Sequence, residues 1–133
     1  MVTDFNNAGV GNGKDLTGNN WKFDPGKDLD LRRTGKTYND ALDEAFNRTG
    51  LPKDQFEVTK WGKDINGKSI PVEWQGPNGA SVNMDIPEWN NVKTNGTLGE
   101  GPSQPHIGYQ TPGKGANRTR GHIFVDGVPA TRR

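Results

Sequence analysis

An Asn-Gly pair at positions 66–67 sets tight limits on the fold, because it lies between two stretches in which apolar and polar residues alternate. Asn-Gly in such a setting is the strongest short-range signal for a β-hairpin. The sequence therefore predicts antiparallel strands over about 56–61 and 70–75. Residues 62–69 also match the P-loop pattern. That motif needs a helix after its glycines, and here a strand follows, so we reject a P-loop.

Three further strands continue the meander. Residues 76–79 are typical of a turn, residues 81–86 alternate again, and short strands are expected at about 105–110 and 121–126. A period of two sends successive side chains to opposite faces of a sheet. The side chains expected to face the core are Val72, Trp74, Val82, Met84, Ile86, Ile107, Tyr109, Ile123 and Val125. The polar side chains expected on the other face are Thr59, Glu73, Gln75, Asn83, Asp85, His106, Gln110 and His122.

A single helix is predicted over about residues 38–48. Thr37 is a good N-cap, Asp40 follows three residues later as in a capping box, and Gly50 is placed to end the helix. An apolar stripe at helical spacing gives the helix one buried face. Its members are Tyr38, Ala41, Leu42, Ala45 and Phe46. The expected fold class is α+β, with an N-terminal helix packed on one face of a short four- to five-stranded antiparallel sheet that carries long polar loops.

The composition fits one small domain. The chain has 133 residues, and although only 29% of them are apolar, the net charge of +1 is too low for a disordered chain. The absence of cysteine excludes disulfides, thiolate metal sites and cysteine nucleophiles. No apolar run approaches the length of a membrane span. Residues 1–32, rich in Gly, Asn and Asp, are expected to form a flexible junction, and residues 33–133 the folded domain.

Both histidines of the chain, His106 and His122, fall on the polar face of neighbouring predicted strands, with a basic loop between them. Residues 101–133 hold five cationic side chains against one carboxylate, a net charge of +4 that suits a phosphate-bearing partner. One imidazole can take a proton from a ribose 2′-OH, another can protonate the leaving oxygen, and cations stabilise the phosphorane. The residues predicted to be catalytic are His106, His122, Lys60 and Arg120.

A second group of residues is predicted to bind or orient the substrate. Its members are Gln110, Thr111, Tyr109, Lys114, Arg118, Asp85, Glu73 and Trp61. Among the aromatic residues, Trp61 and Trp89 could stack on bases. No metal-ligand spacing is visible, so neither a metal nor a cofactor is expected. From the residues alone, two ordinary histidines on a solvated sheet face and a solvated basic tail remain as alternatives.

Four stretches resemble the toxic C-terminal domains of bacterial polymorphic toxins, namely residues 36–46, 56–62, 105–111 and 120–126. These stretches resemble the group labelled polymorphic toxin type 47, and the similarity spans about residues 33–133. The resemblance implies the barnase–EndoU–colicin–RelE class of ribonucleases, in which a helix packs on a four- or five-stranded antiparallel sheet and the active site lies on the open face. It also matches Lys60 and Lys63 to lysines that are typical of the family.

The resemblance implies a metal-independent endoribonuclease that cleaves tRNA or rRNA. Such a domain is secreted as part of a larger bacterial toxin and acts in the cytoplasm of a competitor cell. Its expected partners are RNA and a cognate immunity protein, which should be acidic if it covers a basic cleft, and a monomer is expected. Two other functions stay open. One is a toxic hydrolase that acts on DNA, NAD or nucleotides, and the other is a non-catalytic module that binds nucleic acid or a partner protein.

Overall fold

The computed structural model describes residues 17–18, 21–87 and 101–132, and this part of the chain contains eight β-strands and one α-helix. The strands are β1 (Thr17–Gly18), β2 (Trp21–Lys22), β3 (Leu29–Asp30), β4 (Glu57–Lys63), β5 (Ser69–Gln75), β6 (Ser81–Asp85), β7 (His106–Gln110) and β8 (Arg120–Phe124), and the helix is α1 (Tyr38–Thr49). Trp89 and much of the predicted junction lie outside the described residues. Within the described ranges, no helix has the length and apolar character needed to span a bilayer.

Six strands form the main sheet, in the order β3-β8-β7-β6-β5-β4, while β1 and β2 pair with each other. All neighbours in the main sheet are antiparallel except β3 and β8, which are parallel. The α+β class is thus confirmed, but the sheet has six strands instead of the expected four to five, because β3 joins it in parallel. The helix follows this strand instead of preceding all the strands. A two-residue strand such as β3 carries no alternation, and its partner is distant in sequence, so periodicity does not reveal it.

The β4–β5 hairpin forms where the Asn-Gly pair predicts it. Gly67 adopts the left-handed conformation with a φ of 78°, whereas Asn66 does not. The Asp64 carboxylate accepts hydrogen bonds from the backbone N–H groups of Asn66 and Lys68, at 2.9 Å each. A side chain therefore helps to close this turn. Two register shifts within β4 mark irregular pairing at this edge of the sheet.

Helix α1 has the predicted start and extends one residue beyond the predicted end. The Asp40 carboxylate accepts the Thr37 N–H at 2.8 Å, and Gly50 ends the helix with a φ of 79°. The buried face consists of Ala41, Leu42, Ala45, Phe46 and Thr49. This face packs mainly against β7, with further contacts to β8 and β6. The helix therefore covers one face of the sheet and leaves the other open.

The register of the central strands places the predicted apolar side chains on the helix side. Met84 lies opposite Ile107, which in turn lies opposite Ile123. The buried core comprises Ala41, Leu42, Ala45, Phe46, Val72, Trp74, Val82, Met84, Ile107, Tyr109, Ile123, Val125 and Ala130. Ile86 was expected in this core, but it is 38% exposed. It follows the last residue of β6, and its N–H bonds the Thr131 hydroxyl at 3.0 Å.

Residues 21–32 pack on the sheet, although they lie in the stretch predicted as a flexible junction. Besides the pairing of β3 with β8, the Lys27 carbonyl accepts hydrogen bonds from the Tyr109 hydroxyl at 2.7 Å and from the Arg48 guanidinium at 3.2 Å. Gly121 permits this approach, because a Cβ at that position would collide with the Lys27 carbonyl and the Tyr109 ring. The docked segment brings buried carboxylates to the edge of the open face.

The C-terminal residues 130–132 lie beside the end of β6. The Arg132 N–H donates to the Met84 carbonyl at 3.0 Å, next to the bond between Ile86 and Thr131. A Cβ on Gly62 of β4 would meet this segment, so its backbone packs closely there. The arrangement carries the Arg132 side chain to the open face of the sheet.

Ile107→Ala should lower the free energy of unfolding by about 2–5 kcal/mol, because this fully buried side chain lies in the core and its truncation leaves a cavity. The matched control is Ile65→Ala at a position that is 97% exposed, where we expect a change within about 0.5 kcal/mol. Urea unfolding measures both values. Equal small losses at the two positions would contradict the burial of Ile107.

Candidate functional site

A pocket of about 410 Å³ opens on the face of the sheet that the helix leaves uncovered, over β6, β7 and β8. Its polar lining includes Asn83, Asp85, His106, Gln110, Arg120, His122 and Arg132. Strand register builds this lining, because the pairs Asp85–His106 and Gln110–Arg120 lie on the same face as His122. His122 pairs with Gly108, whose missing side chain leaves room, since a Cβ there would lie 2.8 Å from the Asn83 amide oxygen.

His122 is held by the carboxylate of Asp28, which comes from the docked N-terminal segment. Asp28 Oδ1 lies 3.0 Å from His122 Nδ1 and also accepts the backbone N–H of His122 at 2.8 Å. Asp28 Oδ2 accepts the Asp24 N–H at 2.8 Å. An ionised carboxylate only accepts hydrogen bonds, so Nδ1 carries the proton and Nε2 of a neutral ring is bare. Within the described chain, Nε2 has no hydrogen-bond partner, and the side chain is 21% exposed.

His106 resembles His122 at Nδ1, which also faces an acceptor oxygen, and differs from it at Nε2. Its Nδ1 lies 2.7 Å from the Gln104 carbonyl oxygen, and its Nε2 lies 3.4 Å from Asp85 Oδ2. Both partners are acceptors when Asp85 is ionised, so the doubly protonated imidazolium satisfies both contacts. The residue is only 4% exposed, yet it lines the pocket. Both histidines thus line the same pocket, one with Nε2 free and the other with Nε2 beside a carboxylate.

The two imidazoles belong to a cluster of aromatic rings at one end of the pocket. The ring centroids of His106 and His122 are 5.1 Å apart, in an edge-to-face arrangement with an interplanar angle of 80°. Phe124 contacts the His106 ring at 5.7 Å, and Trp21 contacts the His122 ring at 5.2 Å. These contacts restrict the rotation of both imidazoles.

Asp85 is a buried carboxylate that two cations keep ionised. Burial alone would raise its pKa, but the hydrogen bond and charge of His106 and the guanidinium of Arg132 outweigh burial and lower the pKa to about 2. Arg132 Nε donates to Asp85 Oδ1 at 2.8 Å, and its Nη1 lies 3.3 Å from Glu73 Oε2. Although burial lowers the pKa of Arg132, these two carboxylates raise it above its ordinary value.

Arg120 lies at the other end of the pocket and is oriented by a neutral partner. Its Nε donates to Gln110 Oε1 at 2.6 Å, and the amide of Gln110 donates to the Gly79 carbonyl at 2.6 Å. No carboxylate in the described chain pairs with Arg120. The guanidinium charge is therefore available to an anion in the pocket.

Six of the predicted site residues line this pocket, namely His106, His122, Arg120, Gln110, Asp85 and Tyr109. A seventh, Glu73, reaches it through Arg132. Lys60 and Trp61 do not line the pocket and lie exposed on β4, the edge strand. Twist and irregular pairing separate β4 from the centre of the sheet, so a shared face does not bring these side chains to the histidines.

The remaining predicted residues have other positions. Tyr109 borders the pocket, but its ring packs in the core with its hydroxyl on the Lys27 carbonyl. The Thr111 hydroxyl accepts the Thr119 N–H at 2.7 Å and closes the loop between β7 and β8. Lys114 and Arg118 line a second pocket beside this loop.

Sequence reasoning missed Asp28 and Arg132. Asp28 lies in a stretch without periodicity, and no local pattern connects it to His122. In the sequence-based prediction, Arg132 counted only toward the positive charge of residues 101–133. Among the residues that the structure describes, no group of three or more His, Cys, Asp or Glu side chains is arranged to hold a metal ion.

Asp85→Asn should lower the free energy of unfolding by about 2 kcal/mol near neutral pH. The folded-state pKa of about 2 lies below the ordinary value of 3.8. The ionised carboxylate therefore stabilises the fold above about pH 4, and this contribution is lost as the pH falls through about 2. Urea unfolding should show that the difference between wild type and variant shrinks from about pH 5 to about pH 2. A difference that does not change with pH would contradict the ion pairs of Asp85.

Comparison with known proteins places the chain in one family. A family model described as Bacterial toxin 47 matches residues 18–132. This range includes the main sheet, the helix, both histidines, Asp28 and Arg132. Neither the curated proteins nor the solved structures give a match. Because the family match covers most of the chain, the chain belongs to the bacterial toxin 47 family of polymorphic-toxin domains.

Proposed function

We propose that this toxin domain is an endoribonuclease that cleaves RNA by acid–base catalysis without a metal ion. One observation carries the proposal: two histidines, one with a free Nε2 and one with Nε2 beside a carboxylate, have ring centroids 5.1 Å apart in a pocket that also holds arginines. Cleavage of RNA by its own 2′-OH needs a base, an acid and positive charge at the phosphate. A pocket of about 410 Å³ lies in the size range of small-ligand sites.

His122 is the general base in this proposal. Asp28 holds its Nδ1–H, which leaves Nε2 to accept the proton of the ribose 2′-OH. A buried carboxylate behind an imidazole fixes the tautomer and stabilises the imidazolium that forms. The freed 2′-oxygen then attacks the adjacent phosphorus.

His106 is the general acid. Its two acceptor partners, Gln104 and Asp85, favour the imidazolium at the start of the reaction. The contact between Nε2 and Asp85 is long at 3.4 Å, so this N–H is only weakly engaged and can donate to the leaving 5′-oxygen of a bound substrate. Proton transfer to that oxygen leaves a 2′,3′-cyclic phosphate on one product and a 5′-hydroxyl on the other.

The arginines stabilise the charge on the phosphorane. Arg120 has no carboxylate partner in the described residues, so a phosphate oxygen can bind its guanidinium. Arg132 is held by Asp85 and Glu73 and adds positive potential beside His106. We assign the direct phosphate contact to Arg120, because the charge of Arg132 is already balanced.

The biological setting follows from the family. We propose that the domain is delivered as part of a larger secreted toxin, acts as a monomer on tRNA or rRNA in the cytoplasm of a target cell, and is blocked by an immunity protein. An immunity protein with an acidic surface would complement the +4 charge of residues 101–133.

The decisive experiment incubates the purified chain with total bacterial RNA, with and without EDTA. Wild type should release discrete fragments that end in 2′,3′-cyclic phosphates in both conditions. His122→Ala and His106→Ala should each lower the rate by about 10²- to 10⁴-fold, because each removes a proton-transfer group. Lys68→Ala, at an exposed turn residue, is the control and should cleave as wild type does.

A synthetic RNA with a single 2′-deoxyribose at a mapped cleavage site should resist cleavage there. Full activity in both histidine variants, or cleavage at the deoxyribose, would overturn the mechanism. If RNA stays intact in every lane, loss of DNA or of free NAD from extracts would identify a different hydrolase. Salt-dependent gel retardation of intact RNA would instead identify a binding module.

Asp28→Asn should lower the cleavage rate by roughly 10²- to 10⁴-fold, because the charge that orients and stabilises the His122 ring is lost. Asp30→Asn is a matched control, since Asp30 is equally buried in the same segment but pairs with Arg32. ¹⁵N NMR of the His122 ring gives a second measurement: the tautomer with Nδ1 protonated should lose its dominance only in Asp28→Asn. Equal effects of the two variants on rate and tautomer would reduce Asp28 to a purely structural role.

A further inference from the structure

Arg118 is a partly buried arginine that has no counter-ion among the residues described. Its Nε is fully buried and has no hydrogen-bond partner among the described residues. Other arginines of the described chain, namely Arg32, Arg48 and Arg132, each bind a carboxylate. Burying a charged group without a partner is costly, so an unpaired buried donor calls for an explanation.

The turn between β5 and β6 determines the position of the Arg118 side chain. Its guanidinium lies over Gly79, where a Cβ would collide with it, and Gly79 has a φ of 84° that favours glycine. The Gly113 N–H donates to the Asn78 carbonyl at 3.0 Å and ties the loop of Arg118 to the turn between β5 and β6. The turn residues Asn78 and Gly79 therefore hold the Arg118 loop and guanidinium in place.

Two pockets meet at Arg118. One, of about 570 Å³, is lined by Lys114 and by the turn residues Asn78 and Gly79. The other, of about 290 Å³, shares Ser81 and Gln110 with the catalytic pocket. The pockets thus adjoin one another, from the pocket of the two histidines through Gln110 and Arg118 to Lys114. The linings of the two outer pockets contain no carboxylate within the described chain.

We propose that Arg118 and Lys114 form a subsite for the phosphate of the nucleotide next to the cleaved bond. The proposal rests on the proposed ribonuclease function and deepens it. A phosphate offers several acceptor oxygens to a guanidinium, and its charge compensates the unpaired cation. Because the subsite lies beyond Gln110 and not at the histidines, it contributes to binding of longer strands and not to the chemical step.

A length series of substrates tests the subsite. Arg118→Gln should raise KM for an oligoribonucleotide by roughly tenfold or more, because a charge-assisted contact is lost. The same variant should cleave a dinucleoside monophosphate as wild type does, since that substrate carries only the scissile phosphate. Arg118→Lys should restore part of the affinity, because it keeps the charge without the planar fork. Lys68→Gln removes an equal charge at an exposed turn and is the control.

Binding of an uncleavable 2′-O-methyl oligonucleotide, followed by fluorescence anisotropy at several salt concentrations, separates this proposal from the proposed catalysis. Arg118→Gln should weaken binding and reduce the salt slope by about one. Reduced binding in a protein that cleaves no RNA would support the subsite and refute catalysis. Unchanged binding and salt slope, or equal loss of activity on the dinucleoside and on the oligonucleotide, would overturn the subsite.

Discussion

The register of strands β6, β7 and β8 is the constraint on which the rest of the structure depends. The pairing of Met84 with Ile107, and of Ile107 with Ile123, gives the helix an apolar face to cover. Because side chains alternate along a strand, the same register puts both histidines on the opposite face. A slip of one residue would expose the core and bury the polar groups of the pocket. Stability and the candidate site are therefore set by the same backbone hydrogen bonds.

Two buried carboxylates contact the histidines at different ring nitrogens. Asp28 accepts a hydrogen bond from Nδ1 of His122, and Nε2 of that ring is bare. In His106, Nδ1 faces the Gln104 carbonyl, and Asp85 lies beside Nε2. Two imidazoles of the same intrinsic chemistry thereby become a base and an acid in our proposal. The carboxylates come from distant parts of the chain, so the asymmetry arises only when the N-terminal segment docks on β8.

Charge pairing also separates the arginines into two groups. Arg132 is balanced by Asp85 and Glu73 and stabilises the fold around His106. Arg120 and Arg118 have no carboxylate partner in the described part of the chain; Arg120 lines the pocket of the histidines, and Arg118 lines the adjoining one. A toxin domain of this family that acts on RNA would use such cations to bind a phosphate backbone, whereas the balanced arginine serves mainly to hold the site together.

The sequence by itself determined the helix, five of the strands, the open polar face and the presence of both histidines on it. These follow from local signals, namely a capped amphipathic segment, alternation with a period of two and turn residues. Such signals can be recognised without knowing which distant part of the chain packs against the segment. Only the tertiary structure decided that β3 joins the sheet in parallel, that Asp28 and Arg132 reach the histidines, and that Lys60 and Trp61 stay on an exposed edge. The physical reason is that such contacts join residues far apart in sequence, and their geometry depends on sheet order and twist, which no local pattern of residues encodes.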